Sequence, residues 1–310
     1  MRGGDGAEPR PTRRGSPRPS PIGHHLSVRD VTADPPPGAS REPAAGGADA
    51  PVGPAWLGIQ GGSNGRYGFR LDPTLARYDG QLFGGTGLSL CLALFEATTG
   101  RDVLWTTVQF AGPAGVGETI ECRVEVLAEG RHTSQLRLTG VVGERLVLVA
   151  LGATSAASSG GFAARFGTMP EVSAPEDSPP FGLAFSPSST ERKGGGPFAV
   201  AEYRQAQAGP GSAVWARMRD ARQSRVTFGY LADFVPTAVL GAAGKTGGWT
   251  SLDNSIRFGP APAEGTDWVL VDYDPYFASS GYVHGAARLW SVDGTLLAVA
   301  SQTAVARMFD

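Results

Sequence analysis

Lysine is almost missing from this 310-residue chain: Lys193 and Lys245 stand against 25 arginines. Nothing in the pattern ties that skew to function, and it reads as coding bias. Charge of either sign is not in excess, with 29 acidic against 27 basic residues and a formal net charge of -2. Affinity for nucleic acid comes largely from surplus cationic charge, so a bulk phosphate-binding surface is excluded. Cysteine occurs twice, at Cys91 and Cys122, too few for a disulfide framework or a Cys-based zinc cluster. Cys91 lies in the apolar run Leu88–Phe95 and Cys122 in an alternating stretch, so both read as small buried hydrophobes. No apolar run reaches the length of a membrane span. The N-terminal arginines are followed by no apolar segment, which argues against a secretory signal. Six acidic residues and nine prolines in residues 1–50 argue against a transit peptide. The expectation is a soluble, cytoplasmic protein.

Aromatic residues are absent from residues 1–50, which hold 8 glycines besides the prolines. Such a segment cannot bury enough apolar surface to offset its ordering entropy, and a disordered arm is predicted there. A second segment, 156–197, is rich in Ser, Gly and Pro and reads as a linker. What remains is two blocks, 51–155 and 198–310.

The blocks share a plan. In the first, Leu82–Thr98 is apolar nearly all round and stops at Gly100, which predicts an enclosed helix rather than an amphipathic one. Strands are predicted at Leu104–Phe110, Ile120–Leu127, Thr133–Val142 and Arg145–Thr154, with Gly143-Glu144 as a hairpin turn. In the second, a strand at Ala213–Met218 precedes a helical stretch from about Arg225 to Ala243. Strands follow at Trp249–Phe258, Trp268–Tyr276, Gly281–Val292 and Thr295–Ala306, the last pair turning at Asp293-Gly294. Val108-Gln109-Phe110 corresponds to Ile256-Arg257-Phe258 at an offset of 148, and Arg145-Leu146-Val147 to Thr295-Leu296-Leu297 at 150. A helix followed by an antiparallel meander, twice, predicts an α+β fold in which a curved sheet wraps a helix, duplicated and fused. Joining two such sheets would also remove two edge strands.

The stretch Ser251-Leu252-Asp253-Asn254-Ser255-Ile256-Arg257-Phe258, then Trp268-Val269-Leu270, Gly281-Tyr282-Val283-His284-Gly285, Asp293-Gly294 and Gln302, resembles the acyl-CoA thioesterase II (TesB-like) family. Phe83-Gly84-Gly85 matches that family's turn before the first helix, and the likeness covers about residues 66–308. The resemblance implies a double hotdog fold and hydrolysis of acyl-CoA thioesters without a metal or other cofactor. It implies a scaffold unit at 51–155 and a catalytic unit at 198–310. Carried over by position, the family's Asp falls on Asp233, its hydroxyl on Ser251 and its amide on Gln302. Asn254 stands where the family has His, and Gln302-Thr303-Ala304 where it has Gln-Glu-Gly.

The residues point the same way on their own chemistry. Asp233 lies in the apolar run Phe228–Leu240, where a charge is costly without partners, and Gln302 is the long polar residue of an otherwise small and apolar strand. The other reading of Asp233 is a carboxylate that only bonds backbone amides. Thioester hydrolysis needs an oriented water, a base and donors at the oxyanion. Asp233 is the expected base, with Ser251 and Gln302 holding the water and backbone N–H groups at Gly84 and Gly85 meeting the oxyanion. The expected partner is an acyl-CoA or acyl-carrier thioester; self-association into a homo-oligomer stays open. Two other classes compete: a non-catalytic acyl-CoA-binding or assembly protein, and a hotdog hydratase or dehydratase, which the lack of a histidine on the second helix disfavours.

Several motifs are decoys. Gly61-Gly62-Ser63-Asn64-Gly65 fits a nucleophile elbow by letter but lacks the strand before and the helix after. Gly244-Lys245-Thr246 lacks the upstream glycine of a phosphate loop and reads as a helix C-terminal turn. His284 reads as a surface histidine, and Asp272 and Asp274 as two solvent-facing residues on one sheet face.

Overall fold

The apolar runs and hairpin turns close into one continuous antiparallel sheet around buried helices. The computed structural model describes residues 51–156, 164, 166–181, 196–207, 212–260 and 267–308. The arm expected over residues 1–50 lies outside the described residues. Short strands β1 (Pro51–Val52), β2 (Ile59–Gly61) and β3 (Arg66–Arg70) lead to helix α1 (Gly84–Thr99). Then come β4 (Asp102–Phe110), β5 (Thr119–Glu129), β6 (Thr133–Val142) and β7 (Arg145–Ser155). After the intervening segment stand β8 (Ala201–Gln207), β9 (Ala213–Met218), α2 (Arg225–Leu231) and α3 (Val235–Ala242). Strands β10 (Gly247–Phe258), β11 (Val269–Ser279), β12 (Tyr282–Ser291) and β13 (Leu296–Met308) complete the chain.

The thirteen strands run β1-β2-β3-β5-β6-β7-β4-β10-β13-β12-β11-β9-β8. Read outward from the β4–β10 seam, the order 4-7-6-5-3 is answered by 10-13-12-11-9. The seam is short. Only Asp253–Arg257 of β10 pair with Trp105–Gln109 of β4, so among the described residues the first half of β10 has β13 on one side and no strand on the other.

Helix α1 is buried without interruption from Gly84 to Phe95, as a helix with no polar face must be, and it ends at Gly100 with φ 62. It lies over β4 and β7 and against α2, where Gly229 lets Leu92 approach to a distance no Cβ would allow, and Ser89 Oγ donates to Val226 O at 2.7 Å. The helical stretch expected from about Arg225 to Ala243, with Pro236 disturbing it, is two helices. Pro236 cannot donate to the carbonyl four residues back, and it sits in the first turn of α3, where no such donor is needed. The break falls at Ala232–Phe234, and α3 is set over β11 and β12 rather than over β10.

Two further differences from expectation matter. Strand β8 is read from sequence as part of no element, and its Ala-Glu-Tyr-Arg-Gln-Ala-Gln composition explains why. Of the segment 156–197, residues 166–181 pack on the sheet. Met169 and Val172 cover Trp215, Leu270 and Trp290, and Trp215 Nε1 donates to Ser173 O at 2.7 Å. Cys91 and Cys122 are both buried and free. No helix among the described residues is long and apolar enough to cross a membrane.

Candidate active site

The helix break leaves a carboxylate where a helical turn would have been. Asp233 is 1% exposed, yet it lines a cavity of about 740 Å³ that opens where the β4–β10 seam ends. One wall is the start of β10, Gly248 to Leu252; the other is Leu82, Phe83 and Gly84 with the loop after Phe110. Arg77 spans the opening, its guanidinium paired with Asp79 and donating from Nη1 to Trp249 O at 3.1 Å.

Four donors or near neighbours define the carboxylate. Gln302 Nε2 donates to Oδ1 at 2.5 Å and Asn254 Nδ2 to the same oxygen at 3.0 Å. The Gly85 amide donates to Oδ2 at 2.5 Å. Gly84 lies flush against that oxygen: a Cβ there would stand 2.7 Å from Oδ2, and one at Gly85 would stand 2.7 Å from Tyr230 O. The glycines at the start of α1 therefore serve close approach to the α2–α3 break. A carboxylate offers about four lone-pair sites, so Oδ1 is filled and Oδ2 has one acceptor site left beside Gly84.

Ser251 joins the cluster through Gln302, whose Nε2 also donates to Ser251 Oγ at 2.7 Å. A regular strand would put Ser251 and Asn254, three residues apart, on opposite faces. The register of β10 on β13 slips between Ser251 and Asp253, and that one-residue bulge turns both side chains to the interior. In the sequence Asn254 stands out only as a departure from a family pattern within the Asp253-Asn254-Ser255 triplet, and the bulge that aims it at Asp233 is invisible in the letters. Ser251 and Asp233 line the cavity, whereas Gln302 and Asn254, each 1% exposed, stand behind them. Gln302, expected to hold a water, donates from Nε2 to both groups that reach the cavity. Gly85, expected to meet an oxyanion, has its amide committed to Asp233. Gly84 remains at the cavity, at the first helical position of α1, where an N–H has no partner within the helix.

Burial dominates the electrostatics. It pushes the Asp233 carboxyl up to about 7, while the Gly85 amide, the Gln302 amide, the Arg77 charge and Asn254 pull down. Burial first, and the Asp233 charge beside them, hold the Tyr230 and Tyr273 hydroxyls above the ordinary tyrosine range. These phenols stay protonated, and the carboxyl changes state near neutrality.

The decoys fall away. Ser63–Gly65 is a single 3-10 turn that leads into strand β3, not a helix. Gly244 has φ 64 and closes α3. His284 Nδ1 meets Thr303 Oγ1 at 3.0 Å beside the rings of Tyr276 and Phe277, away from the cavity lining. Asp272 departs from the expected solvent exposure: it is buried and paired with Arg288 at 3.0 Å, because Trp290 and its neighbours cover that part of the sheet, while Asp274 is exposed.

The chain matches the model of the acyl-CoA thioesterase N-terminal domain over residues 73–155 and that of the C-terminal domain over residues 163–306. Among solved structures it is similar to a protein from Novosphingobium aromaticivorans described as a thioesterase, at 30% identity and a TM-score of 0.71, covering 79% of this chain and 96% of that one. It is similar to a hot dog fold protein from Alicyclobacillus acidocaldarius at 20% identity and a TM-score of 0.69, covering 79% and 94%. It is also similar to the acyl-CoA thioesterase II TesB2 of Mycobacterium marinum at 18% identity and a TM-score of 0.65, covering 82% and 97%. The last two likenesses speak to the fold, which is a hotdog. No curated protein sequence matches the chain.

Proposed function

The chain belongs to the acyl-CoA thioesterase family and is a thioester hydrolase, and on that premise we propose that it cleaves an acyl-CoA to the free acid and CoA with water activated by Asp233. The observation that carries this reading is a carboxyl raised to about 7, buried, saturated on one oxygen and turned to a cavity on the other. A general base works best when its pKa lies near the operating pH. A carboxylate that merely bonded backbone amides would not need two side-chain amides and a cavity. Ser251 completes the centre at the cavity wall; Gln302, Asn254 and Gly85 hold the base in place. Among the described residues no histidine lines the cavity, which speaks against hydratase chemistry of the Asp/His kind.

The hotdog is proposed to be doubled, with copies at 51–155 and 198–310 flanking the segment 156–197. Three observations support this. The strand order mirrors about the seam. The β4–β7 register slips between Val103 and Trp105 as the β10–β13 register does between Ser251 and Asp253, 148 residues on. Contacts such as Gly85–Asp233 and Thr107–Ser255 join residues 148 apart, as equivalent positions meeting at an internal dyad would. The first copy is thus more than a distant scaffold, because Gly84, Gly85 and the cavity wall come from it.

Free-thiol release from a panel of acyl-CoAs tests the activity. Wild-type kcat/KM should fall about tenfold per pH unit below pH ~7 as Asp233 takes up its proton, and Asp233→Asn should lose roughly 10²–10⁴-fold at a folded-state signal like wild type. A folded Asp233→Asn protein with wild-type rates would remove the base.

A further inference from the structure

Ser251 and Gln302 share a cluster but not a role, and the direction of their hydrogen bonds separates them. An amide NH₂ has two hydrogens; Gln302 Nε2 spends one on Asp233 Oδ1 and one on Ser251 Oγ. Turning that amide over would set its oxygen against the carboxylate, so the charge on Asp233 fixes its orientation. Ser251 Oγ is therefore an acceptor toward the interior, and its single proton is directed away from Gln302. Ser251, unlike Gln302, lines the cavity. At the same time the Gly85 amide, the natural anion donor at the start of a helix, is already engaged with Asp233 Oδ2. A tetrahedral oxyanion in this cavity lacks the donor pair expected from the glycine turn, and one hydroxyl proton, turned away from Gln302, is available beside it.

We propose that Ser251 Oγ–H donates to the thioester carbonyl oxygen and to the oxyanion it becomes, and that Gln302 is a positioning residue that aims both this hydroxyl and the Asp233 carboxylate. The inference rests on the thioesterase reading. In the step, the water oxygen bonds to the carbonyl carbon while one water proton passes to Asp233 Oδ2. The carbonyl π pair moves onto the oxygen held by Ser251. As that pair returns, the C–S bond breaks, the electron pair leaves with sulfur, and the proton on Asp233 passes to the thiolate. Acyl thioester and water become acid and thiol, with Asp233 and Ser251 restored. The Gly84 amide, outside the helix's own bonds, is the second donor available at the same wall.

Hydroxylamine as a competing nucleophile separates an oxyanion donor from a water holder. It attacks thioesters without a base, giving hydroxamate and thiol. With the full chain, the best acyl-CoA of the panel and enzyme-free rates subtracted, Ser251→Ala should slow acid and hydroxamate formation together, by about 10²–10³-fold. The hydroxamate-to-acid ratio should equal that of wild type, and the inflection of the rate profile near pH ~7 should stay in place because the base is untouched. Ser251→Thr keeps the proton and suits a strand, and should retain most of the rate. Gln302→Ala frees both groups and should alter the ratio as well as the rate. A ratio that rises several-fold in Ser251→Ala would show that the hydroxyl holds the water, and an unimpaired Ser251→Ala or an inactive, folded Ser251→Thr would equally overturn the assignment. These outcomes are distinct from failure of the underlying reading, which appears as an Asp233→Asn protein that turns over like wild type.

Discussion

Replacing Asp233 by Asn tests the electrostatics of the site without any substrate. Burial and the donors around it leave the carboxyl at about 7, against an ordinary value of 3.8. One pKa unit is worth about 1.4 kcal/mol, so the folded state binds that proton more tightly than the unfolded chain by roughly 4 kcal/mol. Below pH ~4 both states are protonated and the site costs nothing. Between there and pH ~7 the unfolded chain has released the proton and the folded one has not, so stability falls with each step upward. Above pH ~7 both are ionised and the whole cost persists. Asparagine does not titrate. Its Oδ1 keeps the bonds from Gln302 and Asn254, but its Nδ2 faces the Gly85 N–H, donor against donor, at a cost of about 1–3 kcal/mol. The variant should therefore be the less stable protein near pH ~4 and the more stable near pH ~8, the difference moving by about 4 kcal/mol in between. Urea denaturation of both proteins at several pH values reads that difference directly, since every other titrating group cancels. A difference flat with pH would mean that Asp233 ionises freely in the fold, and the base assignment would lose its physical ground.

Other expectations follow from the same geometry. Gly84→Ala brings a methyl against both oxygens and the carbon of the Asp233 carboxylate, so kcat should drop sharply while the melting temperature moves less than at Gly85. Gly85→Ala meets the Tyr230 backbone and the Phe83 ring and should cost about 1–3 kcal/mol, several degrees in Tm, by calorimetry. Equal effects at the two glycines would contradict the packing described. Ser251→Ala and Gln302→Ala should combine to much less than the product of their separate losses in kcat, because Gln302 acts partly through Ser251; full multiplicativity would uncouple them.

Most of the scaffold is legible in the letters because its rules are local. A run apolar on every side must be enclosed, and Leu82–Thr98 becomes α1 within two residues at either end. Alternation and tight turns place β4 to β7 and β10 to β13, the strand Thr133–Val142 with the same bounds in both readings. What escapes is set by register and by contacts far apart in sequence. Strand β8 has little apolar patterning and is fixed by pairing with β9. Asp233 is visible as an unpaired charge in an apolar run, but not that the helix breaks at it. Ser251 and Gln302 carry the right chemistry in sequence, yet Gln302 stands behind the cavity, and Asn254 joins the site only through a bulge. The commitment of Gly85 depends on a residue 148 positions away.

The same contacts account for why one half carries the reactive groups and the other does not. On the proposed duplication, Asn254 opposite Gln302 corresponds to Thr106 opposite Gly152, the same pairing on β4 and β7. At Gly152 a Cβ would stand 2.5 Å from the Phe95 ring, so α1 itself fills the space that the Gln302 side chain uses in the other half. A helix as uniformly apolar as α1 settles flat on its strands and leaves no room for a polar side chain between. The second helix cannot do so, because Pro236 breaks it and its remaining turns rest over β11 and β12. The inner face of β10 is thereby free to present Ser251 and Asn254 to the carboxylate at the break, with Gln302 beside them on β13. The unbroken helix contributes its amino terminus, where glycines allow the approach and an amide anchors Asp233. Restoring the break would be expected to close the site: Pro236→Ala lets a continuous helix form and should stabilise the fold while lowering kcat. A variant with wild-type kcat and a raised Tm would show that the position of α3, and not the proline, keeps the cavity open.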